Sequence, residues 1–131
     1  MTLRLLGPNT LVLIASILAG CQGTEPFLCP AMVASYSVAV VDADTVAVTG
    51  ASLTAVLDRT GRTLTPYPPV EIRHGNYVVV DDHSKTSFRS RSDQVHATVV
   101  VGPKSVTGVF AFRFNGCSVA KVSGPDTLVL P

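Results

Sequence analysis

Few of the features that announce a chemistry are present in this chain. There is no excess of charge: ten Lys and Arg stand against nine Asp and Glu, a formal charge of +1 over 131 residues. A nucleic-acid binder would show a basic excess or stripe, and attachment to a membrane by electrostatics would need one too. No apolar run reaches the roughly 20 residues of a membrane-spanning helix. The N-terminal run Leu11–Leu18 gives way to Gln22-Gly23-Thr24-Glu25-Pro26. No helical period of about 10 residues or more follows Cys21, so a helical core is excluded. The three cysteines lack CxxC spacing, which disfavours a zinc site. The serines lack a G-x-S-x-G elbow, and no metal or organic cofactor is expected.

What is present begins at the N-terminus. Met1-Thr2-Leu3-Arg4 is a small positive end, and Gly7-Pro8-Asn9-Thr10 interrupts helix. Leu11–Leu18 is an apolar segment of signal-peptide length. It closes on Leu18-Ala19-Gly20-Cys21, which resembles the lipobox of bacterial lipoprotein precursors. That resemblance implies a thioether from Cys21 to diacylglycerol, cleavage between Gly20 and Cys21, and acylation of the new amine. Each buried methylene adds about 0.8 kcal/mol, so two or three chains anchor stably. The implied address is the bacterial cell envelope. In a two-membrane host, Gln22 in place of Asp favours the outer membrane.

The expected organisation is a removed signal over residues 1–20, a lipidated tether over 21–30 and one domain over 31–131. Losing Arg4 leaves nine basic and nine acidic residues, a formal charge of zero. With Cys21 given to lipid, Cys29 and Cys117 remain as an even pair in an oxidising compartment, where a disulfide is expected. It would close a loop of roughly 90 residues, for which chain entropy gives about 4–5 kcal/mol. Two free buried thiols are the alternative.

The rest of the chain reads as β-strand. Tyr36, Val38 and Val40 alternate to one face, and Leu53, Ala55 and Leu57 do the same in Ser52–Leu57. Asp58-Arg-Thr-Gly61 and Gly75-Asn76 are turns, and the prolines at 66, 68 and 69 exclude a central strand there. Further strands are expected over residues 62–65, 70–74, 77–80, 95–101, 106–114, 118–122 and 127–130. Asp82–Asp93, polar and rich in Ser and Arg, reads as an exposed loop. Short Val- and Thr-rich strands joined by such turns predict an all-β fold, a single small antiparallel β-sandwich after an N-terminal signal helix.

Several segments together resemble small bacterial lipoproteins with a carboxypeptidase-regulatory-like, or transthyretin-like, β-sandwich. They are Cys29-Pro30 before a strand that ends at Asp42, Gly50-Ala51-Ser52-Leu53-Thr54-Ala55, Gly75-Asn76-Tyr77-Val78-Val79-Val80, Gly116-Cys117-Ser118-Val119 and the closing Thr127–Leu130. The chain departs from that pattern at Asp82–Asp93, where an aromatic-rich stretch is expected. An immunoglobulin-like sandwich is the other candidate. The resemblance implies a structural or adhesive module and carries over no catalytic residue.

The residues with acid–base or metal-binding potential are His74, Asp81, Asp82, His83 and His96. An envelope enzyme or accessory subunit would use them. Their lack of ligand spacing favours an exposed loop start instead. Asp42 and Asp44 alternate as calcium ligands can, but a solvated turn accounts for them better. Lys85, Arg89 and Arg91 form a small basic loop that could meet an anionic surface, and Phe110, Phe112 and Phe114 form a stripe expected in the core. The leading expectation is a membrane-tethered, non-catalytic module that meets an envelope protein or polysaccharide.

Overall fold

The computed structural model describes residues 28–29, 33–67 and 71–131, and in it the alternation of the sequence becomes burial. Strands β1 (Ser35–Val41), β2 (Ser52–Leu57), β3 (Arg62–Leu64), β4 (Glu71–Arg73) and β5 (Asn76–Asp81) come first. A 3₁₀ helix, Asp82–Ser87, follows. Then come β6 (Asp93–Val101), β7 (Lys104–Phe114), β8 (Val119–Ser123) and β9 (Thr127–Val129). They form two sheets, a four-stranded one in the order β4-β5-β1-β9 and a five-stranded one in the order β3-β2-β6-β7-β8. The fold is an all-β sandwich. Pairing is antiparallel except between β1 and β9, which run parallel with Val40 opposite Leu128. The expected signal helix lies outside the described residues.

The core fills the space between the sheets, as period-two side chains require. Val38, Val40, Tyr77 and Val79 face Ala55, Leu57, Val95, Ala97, Val99, Phe110 and Phe112, all buried. Phe112 stacks on Phe110 and meets Tyr36 and Phe88 at centroid distances of 5.5–6.1 Å. Phe114 packs at the margin, half-buried. The phenylalanine stripe is therefore core. Tyr77 shows no exposed surface, yet its hydroxyl donates to the Val48 carbonyl at 2.7 Å and accepts from the Ala51 amide at 3.1 Å. It fixes the chain where it crosses from the first sheet to the second.

Asp82–Asp93 is not the exposed loop that its composition suggests. Its first half is the 3₁₀ helix, Phe88 enters the core at 5 % exposure, and Asp93 is buried at the start of β6. Polar composition hid one apolar anchor and one charged one.

Strand ends define two poles. Ser35 pairs with Asp81, Asp93 with Phe112, and Phe114 with Val119, so the 3₁₀ helix and these ends share one pole. The Asp42–Thr45 turn and the β6–β7 turn lie at the other.

Candidate functional site

The Cys29 and Cys117 sulfurs lie 2.07 Å apart, joining the chain before β1 to the approach to β8 at the first pole. Lys85 reaches into this corner, its ammonium 3.4 Å from the Cys117 carbonyl. Beside it opens a shallow hollow of about 320 Å³ lined by Val33, Tyr67, Asp81, Asp82, His83 and Lys85. Tyr67 is 71 % exposed and lies against the His83 ring, with centroids 5.8 Å apart. His83 also lines a second hollow of about 310 Å³, whose other walls are mostly the hydroxyl residues Thr63, Thr65, Ser84, Thr86 and Ser87, with Arg62 and Leu64.

Three acidic groups of this pole, Asp81, Asp82 and Asp93, are already engaged. Asp81 caps the 3₁₀ helix by accepting from the His83 amide at 3.1 Å, and its other oxygen accepts from the Tyr67 amide at 3.0 Å. Asp82 clamps three segments, accepting from the Ala34 amide at 2.8 Å and the Val119 amide at 2.9 Å. Burial alone would raise its pKa. The amides of Ala34 and Val119, the Ser118 side chain and the Lys85 charge outweigh burial and hold the carboxyl below its ordinary value. Such carboxylates tie backbone together. They are poorly suited to take up a substrate proton.

Among the described residues Asp93 carries the most perturbed carboxyl. Burial pushes it upward, but hydrogen bonds from Arg59 and Arg89, with the Arg59 charge, bring it down to about 2. Arg89 donates to it from its guanidinium at 2.6 and 2.9 Å and from its amide at 3.0 Å. Arg59 donates from Nε at 3.0 Å and reaches on to the Ser87 carbonyl at 2.9 Å. One buried carboxylate thus fastens the β2–β3 turn and the segment after the helix to the start of β6.

The structure brings together only part of the group that the sequence joins. Asp81, Asp82 and His83 are neighbours. His74 sits in the β4–β5 turn at the far end of β5, about 17 Å away at strand rise. His96 pairs with Val56 and Val109 in the other sheet, on its outward face. Among the described residues, no three His, Cys, Asp or Glu side chains are placed to hold a metal ion. Asp42 accepts from the Asp44 and Val46 amides and so closes its own turn. Of the basic loop, Arg89 is committed to Asp93, whereas Lys85 lines the hollow and Arg91 is exposed. Cys21 lies outside the described residues.

Tyr67, Arg62 and Asp93 are structural features that sequence reasoning passed over. For Asp93 a signal existed: it shares the parity of Val95, Ala97 and Val99 and so points inward. Among the described residues no helix is long and apolar enough to cross a membrane. Comparison with protein-family models, curated proteins and solved structures finds no match to the chain.

Proposed function

We propose that the protein is a lipid-anchored lipoprotein of the bacterial envelope whose sandwich, of the transthyretin-like kind, serves as a non-catalytic structural or interaction module. The observation that carries the non-catalytic reading is the engagement of Asp81, Asp82 and Asp93 by backbone amides and arginines of their own domain. The anchor rests on Leu18-Ala19-Gly20-Cys21 at the end of a signal-length apolar run.

A contact surface of suitable chemistry is the outer face of β2, β6 and β7. Thr54, Thr98 and Thr107 stand in register across it, with the Thr98 and Thr107 hydroxyls 3.0 Å apart. A row of Val56, His96 and Val109 runs alongside. A sheet face of hydroxyls and methyls suits a polysaccharide or the surface of an envelope protein.

The anchor is tested by metabolic labelling with an alkyne fatty acid. Wild type should be labelled and Cys21→Ser should not; labelling of both overturns the anchor. For the face, crosslinks formed in the native envelope should vanish in Thr98→Glu and Val109→Glu while lipid labelling persists. Crosslinks unchanged in both variants would reject the face.

A further inference from the structure

We propose that the pole carrying the Cys29–Cys117 disulfide lies against the lipid headgroups, with Leu28, Val33 and Tyr67 as its apolar contacts and Arg62, Lys85 and Arg91 as its cationic ones. The inference rests on the anchored reading and adds an orientation to it. Three independent features coincide at this end.

The first is reach. Cys21 precedes Cys29 by eight residues, which span at most about 29 Å when fully extended. Strand β7, at 11 residues, is itself roughly 35 Å long. A lipid on Cys21 therefore keeps the disulfide pole within about 29 Å of the bilayer, whereas the Asp42–Thr45 pole can lie a full strand length farther out.

The second is apolar exposure. Leu28 is 85 %, Val33 70 % and Tyr67 71 % exposed. All three surround the disulfide corner: Leu28 adjoins Cys29, and Val33 and Tyr67 share a hollow with Lys85, which touches Cys117. An exposed tyrosine beside lysine and aliphatic side chains suits the membrane interface, where the ring sits at headgroup level.

The third is the way a balanced charge is distributed. At this pole Asp81 and Asp93 are turned inward and Asp82 is half-buried, so Asp58 is the exposed carboxylate among the described residues. Arg62 and Arg91 are exposed there and Lys85 half-exposed. The opposite pole presents Asp42, Asp44 and Glu71 beside Arg73 and Lys104. Net charge near zero therefore conceals an asymmetry whose positive end is the tethered one, matched to anionic lipid.

The chain contains no tryptophan, so one can be introduced as the sole reporter. Tyr67→Trp, and separately Val33→Trp, would mark the proposed contact, and Val46→Trp the opposite pole. Lipidated mature protein, its lipid verified by mass, is reconstituted in phosphatidylcholine–phosphatidylglycerol vesicles whose acyl chains are brominated. Quenching at positions 67 and 33 should exceed that at 46 by about threefold or more. It should fall when Arg62→Glu and Arg91→Glu are added, or when phosphatidylglycerol is left out. Equal quenching at all three positions, with the lipid present, would overturn the orientation alone. A mature protein without lipid on Cys21 would overturn the anchored reading and the orientation with it.

Discussion

Asp93 shows how much one side chain holds when charge is buried with its partners. Its carboxyl lies at about 2 in the folded chain against an ordinary 3.8. A depressed folded value contributes stability that is complete above the unfolded pKa and lost as pH falls towards 2. The shift corresponds to about 2 kcal/mol. Urea titrations from neutral pH down to pH 2 should therefore show stability falling below about pH 4. Asp93→Asn should cost about 2–3 kcal/mol at neutral pH and flatten that decline. An unchanged acid limb in the variant would place the sensitivity elsewhere, with Asp82 the next group to examine. Tyr77→Phe is a second test at this scale. It leaves the ring in place but takes a donor and an acceptor from Val48 and Ala51, so a loss of about 1–3 kcal/mol is expected in chemical denaturation. These residues were unevenly legible. The sequence placed Tyr77 in a strand without telling its face, and the partners of Asp93 come from positions 59 and 89, a convergence that no local pattern announces.

The strands were legible because alternation and turn chemistry agree over most of the chain. Ser52–Leu57 has the expected limits and the Asp58–Gly61 turn lies where β2 reverses into β3, whereas the β4–β5 turn is His74-Gly75, one residue earlier than expected, so that Asn76 opens β5. Sheet order was not legible. β1 pairs with β5 and β9, and β2 with β6, through contacts set by the whole core rather than by neighbouring sequence. The 3₁₀ helix escaped as well, since its six residues are too short to show a period and none is buried. At this scale the β8–β9 connection is sensitive to a single methyl group. Gly124 has φ +140°, and a Cβ there would stand 2.4 Å from the Phe110 ring. Gly124→Ala should cost about 2 kcal/mol or more through strain and overpacking, read as a lowered Tm. A neutral result would mean that the connection can shift without disturbing Phe110.

At the scale of the molecule, a disulfide and a buried charge cluster act at one pole, the same pole to which the proposed lipid anchor would tie the chain. The Cys29–Cys117 link spans a sequence separation of 88, so Cys29→Ala with Cys117→Ala should cost up to about 4–5 kcal/mol. Equilibrium unfolding of oxidised and reduced protein gives the same comparison without substitution. The charge total, read from sequence, argued against electrostatic contact with a membrane. Three-dimensional placement changes what that total means, because at the disulfide pole Asp81, Asp82 and Asp93 are engaged internally while Arg62 and Arg91 stay exposed. The covalent account of the N-terminus is most directly tested by the intact mass of the mature protein taken from the host envelope. The predicted mass is that of residues 21–131 carrying diacylglycerol and an amine-linked acyl chain, less two hydrogens for the disulfide. A mass that includes residues before Cys21, or one without lipid, would contradict the account.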